Sequence, residues 1–293
     1  NTMVDFVKHQ LPGTFGGYNV HGMTLKQSEA YAMADGTSFD KECYTLWKGK
    51  FTNDENKDEH KYDNVKNGVW WGYTNREPRF YASVAFNGAQ WNALSIKEEG
   101  GKDSRNKQIW YYRGATDGRI NGSDNWCITG IGIMKYVNPN DCAKWGGSIY
   151  QKVEPTLRYA DILLMYAEAL NEATDNGEFV PTEVYTNIDI VRERSGLEGV
   201  IDSWKKYSTN PNKPSTKEGM REIIRRERQI ELALEGIRYH DLRRWKLAKS
   251  TYNNTFVRGW SIDQENTEDY YVVRNIAQKK YSQKDYLLSL IHI

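Results

Sequence analysis

Three stretches between Thr156 and Ala248 constrain the fold of this 293-residue chain more than anything else in it. In Thr156–Ala173 the residues Leu157, Ala160, Leu163, Leu164, Ala167 and Leu170 recur at steps of three and four, the spacing of one helix face. Pro155 stands where a first-turn proline fits, since its missing N–H has no partner there anyway. A second helical stretch covers Asn187–Leu197. In the third, Met220, Ile223, Ile224, Ile230, Ala233 and Leu234 repeat the helical spacing up to Ala248. Ser215 followed by Glu218 reads as a capping box, and Gly236 as a left-handed stop. The expected result is a bundle of paired antiparallel helices.

That bundle carries an unusual load of charge. Glu227, Arg228, Glu231, Glu235, Arg238, Asp241 and Arg244 fall at helical spacings around Gly236. Arginine forks paired with carboxylates fix one helix on the next, so these seven are expected to form a structural ion-pair network. Such a network specifies geometry more than it adds stability. Trp245, on the Leu242 face, is expected in the core, and His240 in a structural role.

These segments resemble the C-terminal half of the SusD/RagB family of bacterial outer-membrane nutrient-binding lipoproteins. The residues carrying the resemblance are Leu157–Asp161, Tyr166–Ala169, Val191–Arg194, Arg226–Arg228 and Glu231–Gly236, then Arg238 and Asp241–Trp245. Upstream, Ala34-Asp35-Gly36 and Glu77–Tyr81 match in the same order. The resemblance implies a mostly α, SusD-like scaffold of tetratricopeptide-type helix pairs with a loop-rich, minor-β portion. It also implies an outward-facing lipoprotein of the outer membrane that binds oligosaccharides, or in some members peptides. Its partner would be a SusC-like TonB-dependent transporter, and its lipid anchor would lie in an N-terminal part that this sequence lacks.

The other end departs from the family, where Tyr-Leu usually runs into a Trp-Pro-Ile-Pro-like stretch. Here Tyr286-Leu287 is followed by Leu288–Ile293, a hexapeptide that one frame of a common sequencing adapter encodes. Leu288–Ile293 is therefore expected to be a non-native read-through tail. The chain then divides into a loop-rich part (1–150), a helical part (151–287) and that tail (288–293).

Composition narrows the function. Lys plus Arg number 40 against 39 Asp plus Glu, so no charge excess points to nucleic acid. No apolar run reaches the roughly 18 residues of a membrane span. There is no His-Glu-x-x-His, P-loop or strand-linked GxGxxG motif. The five histidines are scattered and no C-x-x-C occurs, so no metal site and no cofactor are expected. A structural calcium ion on loop carboxylates such as Asp117 and Asp124 has no motif behind it. Cys127 and Cys142 are close enough in sequence to close a disulfide, with three reduced thiols as the alternative.

The first 150 residues are punctuated by Gly and Asn, the residues of turns and of positive φ. A short helix is expected at Leu25–Met33, a strand at Arg79–Phe86 and a surface excursion at Asp54–Lys66. The rest reads as loops draped on the helices, without a core of their own. Their aromatics sit beside polar turn residues, a chemistry suited to the apolar C–H faces and hydroxyls of a sugar. Trp70, Trp71, Tyr73, Trp91, Trp110, Tyr111 and Trp126 are the candidate ligand-binding residues, with Trp70, Trp71 and Trp91 as a common platform. Three function classes stand side by side: a glycan-binding surface lipoprotein, a glycoside hydrolase using a carboxylate pair, and an intracellular helical-repeat adaptor. The first carries the most observations; no catalytic residue is assigned.

Overall fold

Periodicity in the second half becomes packed helix, and turn-rich sequence in the first half becomes a second core. The computed structural model describes residues 3–60, 65–96, 105–119, 125–175, 177 and 179–280. The helices are α1 (Met3–Gln10), α2 (Leu25–Ala30), α3 (Cys43–Leu46), α4 (Pro78–Ser83), α5 (Tyr159–Ala173), α6 (Thr182–Arg194), α7 (Val200–Tyr207), α8 (Lys217–Glu231), α9 (Ile237–Arg244), α10 (Ala248–Tyr252) and α11 (Thr267–Tyr270). Among the described residues six short strands pair as three antiparallel ribbons. They are β1 (Val84–Ala85) with β4 (Gly132–Ile133), β2 (Ala89–Asn92) with β3 (Asn106–Ile109), and β5 (Phe256–Trp260) with β6 (Val273–Gln278).

Helix α5 packs against α6 and α8, and their apolar faces close one core. Leu163, Leu164 and Ala167 meet Val184, Ile188 and Val191 from α6 and Met220, Ile223 and Ile224 from α8. The mostly α scaffold is therefore as the periodicity requires. Its ends differ from the sequence expectation. α5 begins at Tyr159, so Pro155 lies outside its first turn and Leu157 is exposed. The cap of α8 is Thr216, whose side chain accepts from Gly219 N, and not Ser215. Ser215 instead ends a short 3-10 turn, Lys213–Ser215. Gly236 has the left-handed φ of +78°, yet it is not the stop of α8, which ends at Glu231 with Leu232 as its C-cap; Gly236 is the N-cap of α9.

The first 150 residues do build a core, contrary to the draped-loop expectation. Leu11, Phe15, Tyr31, Trp70, Tyr73, Phe80, Phe86 and Ile109 converge on it, joined from the far end of the chain by Trp260, Ile262 and Tyr270. The physical reason lies in the aromatics, each of which buries a large area and locks its neighbours edge to face. Trp70 stands 5.3 Å from Tyr73 and 5.5 Å from Trp260 between ring centres. Its indole N–H donates to Trp47 O at 3.0 Å. The expected strand Arg79–Phe86 is instead helix α4 followed by the two-residue β1. Pro78 decides this: it suits a first helical turn and supplies no N–H to a ladder.

Two ion-pair clusters tie the parts together. In one, Arg228 donates to Asp241 through Nε (2.9 Å) and Nη2 (3.1 Å), and to Asp161 of α5 through Nη1 (2.8 Å). Arg244 extends it, bonding Asp241 at 2.8 Å and Glu168 at 2.6 Å. In the other, Arg79 bonds Glu77 (2.7 Å), Glu227 (2.6 Å) and Glu231 (3.2 Å), while Arg158 spans Glu231 (3.0 Å) and Glu235 (2.7 Å). Arg238 departs from the expected network. Its guanidinium lies 5.7 Å from the Trp245 ring centre and forms no ion pair among the described residues. Trp245 itself is half-buried rather than core. Arg225 and Arg244 lie over its ring, and its N–H donates to Glu168 at 2.6 Å.

Burial alone would raise the Glu227 carboxyl, but Arg79 and Arg192 more than offset this and hold it below its ordinary value. A carboxyl whose folded pKa is depressed contributes stability above its unfolded pKa, about 4.3, and loses it as pH falls through the folded value. Stability of the intact protein should therefore fall with acid below about pH 4.3. Glu227→Gln should be less stable at neutral pH and lose less on acidification, both read by denaturant titration. Arg228→Ala removes the ion pair of Asp161 and leaves Asp241 with Arg244 alone, and should cost roughly 3 kcal/mol. An unchanged melting temperature would refute the buried pairing.

Candidate binding groove

A groove of about 440 Å³ opens between the 36–40 turn and helix α7. Its helical wall follows from the spacing in Val200–Tyr207. Val200, Ser203, Trp204 and Tyr207 fall at i, i+3, i+4 and i+7, so one face both seats the helix and borders the groove. Val200 and Ser203 are buried, Trp204 is half-buried against the helical core, and Tyr207 is 36% exposed. The opposite wall is the Asp35–Asp40 turn. There Asp35 Oδ1 accepts from Thr37 N at 2.9 Å and Thr37 Oγ1 at 2.6 Å, a local Asx-type clasp.

Gly36 brings the two walls together. It adopts φ +85°, and a Cβ there would stand 2.5 Å from Ser203 Oγ. Ser203 Oγ donates to Asp35 O at 3.1 Å, and Arg226 holds Ser38 from below. The floor is Phe39, beneath which the buried Arg76 guanidinium lies 4.4 Å from the ring centre. Burial lowers the Arg76 pKa to about 10, the nearby Tyr81 and Glu77 opposing it. The lining is thus three aromatic rings, Phe39, Trp204 and Tyr207, among the hydroxyls of Thr37, Ser38, Ser203, Ser208 and Thr209, with Asp40. Such a surface can stack on a ring and exchange hydrogen bonds with hydroxyls. A second recess of about 220 Å³ is bordered by Tyr81, Gln90, Trp91, Asn92, Asn138 and Pro139.

The structure does not assemble the aromatic platform expected from the sequence. Trp70 and Trp91 are each 2% exposed, and Trp71, Tyr73 and Tyr111 are buried as well. Lys50 Nζ covers Trp71 at 3.7 Å from its ring centre. Trp91 borders the second recess and is separated from the groove on α7. Trp110 is half-buried and packs over Gly88, where a Cβ would come within 2.8 Å of its ring. Trp126 is half-buried under Arg119, at 5.1 Å. Core packing outcompetes ligand presentation for most of this set because adjacent aromatics in turn-rich sequence bury one another.

Cys127 and Cys142 are free thiols, as is Cys43, so the 127–142 disulfide is not formed. Cys127 Sγ lies 3.5 Å from Thr129 Oγ1, whereas Cys142 Sγ donates to Lys144 O at 3.2 Å, each thiol held in its own turn. Asp117 accepts from Thr14 N at 3.1 Å and from Thr14 Oγ1, which occupies it as a buried acceptor. Asp124 and the Leu288–Ile293 tail lie outside the described residues. His240 is exposed on α9.

Comparison with known proteins settles the lineage. The family model described as the SusD family matches residues 1–291. The chain belongs to the SusD/RagB family. A SusD-like protein P2 from Formosa agariphila is 34% identical over 96 residues, 33% of this chain and 17% of that protein. A SusD-like protein of Bacteroides fragilis superposes with a TM-score of 0.61 at 24% identity, over 92% of this chain and 43% of its own. A SusD-like carbohydrate-binding protein from the same organism gives a TM-score of 0.62 at 22% identity, over 95% of this chain and 47% of its own. The chain thus spans less than half the length of the solved relatives it matches, and at such identities the likeness establishes the fold.

Trp204 and Tyr207 are not among the residues that the sequence pattern singles out, although SWKKYS carries a readable signal. The two rings fall three apart on a short helix whose other face is charged, which leaves them at the boundary between core and solvent. Substituting the buried Trp70 by Ala should lower the melting temperature, with a cost of about 3–5 kcal/mol. Loss of glycan affinity in that variant without loss of stability would return Trp70 to the binding surface.

Proposed function

We propose that this protein captures oligosaccharides at the cell surface and delivers them to a SusC-like TonB-dependent transporter of the outer membrane for nutrient uptake. The observation that carries this reading is family membership across residues 1–291. One solved relative of the same fold is itself described as a carbohydrate-binding protein. In this scheme the protein faces outward on the outer membrane, held there by a lipid anchor. The groove on α7 supplies matching chemistry, with the Trp204 and Tyr207 rings among five hydroxyl-bearing side chains. A rigid aromatic offers large contact area at low rotamer cost, which suits the flat C–H faces of a pyranose.

Binding without turnover is the accompanying proposal. Hydrolysis of a glycosidic bond draws on two carboxyl groups at a defined separation, and Asp40 is the single carboxylate bordering the groove among the described residues. Asp40 Oδ1 is already engaged, accepting from Glu42 N at 2.9 Å.

The intact protein should bind oligosaccharides in a calorimetric or array assay and release no reducing ends on prolonged incubation. Trp204→Ala should weaken binding about five- to a hundredfold, as loss of one stacking contact of roughly 1–3 kcal/mol requires. Turnover above a buffer control, abolished by one carboxylate substitution, would replace the capture reading with an enzymatic one.

A further inference from the structure

Away from the groove, a small cavity of about 130 Å³ lies among α2, α9, α10 and the β5–β6 ribbon. Its wall carries four cations, Lys26, Arg238, Arg258 and Lys279, and no carboxylate among the described residues. Overall the chain has 40 basic and 39 acidic residues, and most of its buried arginines are matched to acids, so this imbalance is local. Of the four, Arg258 is neutralised by Glu29 at 3.2 Å. Lys26, Arg238 and Lys279 form no ion pair within 4 Å among the described residues. Among the described residues Arg238 reaches a protein acceptor only at the Arg225 carbonyl, 3.5 Å away, and Lys279 Nζ lies 4.7 Å from the Tyr252 ring centre.

The fold sets these groups deliberately close. A register shift between Val257 and Arg258 breaks the alternation of β5, so that both neighbours border the same cavity. Lys279 is fixed by its backbone, which donates to Thr255 O at 2.7 Å and accepts from Asn254 N at 3.1 Å. Gln27 and Gln229 clasp each other at 3.1 Å and close the inner end. Thr24, Thr251 and Thr255 add hydroxyls. Burial depresses the Lys26 ammonium, and Arg238, Lys279, Lys41 and Arg258 depress it further. Several like charges brought together without a counter-charge cost free energy that an incoming anion recovers.

We infer that this cavity is a secondary subsite for an anionic substituent, the carboxylate of a uronic acid or a sulfate ester, on the glycan the protein captures. It rests on the capture reading for its biological ligand, while its anion chemistry stands on the cavity alone. The subsite would make the protein prefer acidic over neutral chains, the charged substituent docking here by ammonium and guanidinium contacts.

Two measurements separate the subsite from the capture reading. First, the intact protein is titrated with D-glucuronate, glucose 6-sulfate and glucose at low ionic strength, about 0.01 M, where screening is weak. The two charged sugars should bind at least about tenfold more tightly than glucose, with perturbation of the Lys26 and Lys279 ammonium resonances, and their relative order tells carboxylate from sulfate. The double variant Lys26→Gln/Lys279→Gln, two solvent-reaching side chains, should keep its melting temperature and lose that preference, and Arg238→Gln should lose it independently. No preference in the native protein, or a preference that survives the double variant, overturns the subsite. Second, neutral oligosaccharides are titrated into the native protein. Their failure to bind while charged sugars still do counts against glycan capture at the groove and leaves the subsite standing.

Discussion

The rest of this molecule depends on one arrangement, the Arg79 guanidinium held among Glu77, Glu227 and Glu231. Arg79 belongs to the turn-rich half and the two glutamates of α8 to the helical half, so the contact joins segments some 150 residues apart in sequence. Each partner is engaged again on its far side. Glu77 accepts from Ala32 N at 2.6 Å, while Glu231 accepts from Arg158 at 3.0 Å and Arg194 at 2.8 Å. Burial taken alone would lower the pKa of Arg79, yet Glu227 and Glu77 raise it above the ordinary arginine value. A buried pair of this kind adds little net stability against an apolar alternative, but breaking one partner is costly. Its effect here is to permit one relative placement of α4 and α8.

That placement explains why landmarks far apart in sequence act together. Ala34 N donates to Asn75 O at 2.8 Å, and Arg76 donates to Ser28 O at 2.8 Å and Tyr31 O at 2.9 Å. The segment before the groove is thereby fastened to the segment that carries Arg79. Arg226 of α8 then reaches Ala30 O at 3.2 Å, so the turn that walls the groove is gripped from both halves. The groove is a consequence of the ionic framework, several residues removed from it.

Helices of the second half were legible because their cores are built from local periodicity: Leu163, Leu164 and Ala167 identify α5, and Ile223 and Ile224 identify α8, without any knowledge of partners. Charge at Arg228 and Asp241 was legible for the same reason, since helical spacing places them on facing surfaces. Position along the chain is not enough for Arg238, whose surroundings depend on β5 and β6, more than a dozen residues further on. The aromatics misled in a consistent way. Trp70, Tyr73 and Trp91 look like ligand platforms when read beside glycine and asparagine, but whether an indole faces solvent is decided by distant rings such as Trp260 and Tyr271. Pro78 outweighs the β-like composition of Arg79–Phe86, and Trp204 carries no local sign of its groove because that groove needs the Gly36 turn to exist.

The fit of Gly36 against Ser203 bears on what a ligand must spend in order to bind. Because a Cβ at Gly36 would meet Ser203 Oγ at 2.5 Å, the turn and α7 are already at closest approach. The walls cannot draw further together around a guest, and moving them apart breaks the Ser203–Asp35 bond. A cleft fixed at both limits loses little conformational entropy on occupation. A guest of matching cross-section would enter such a gauge of set width without any reorganisation of its two walls.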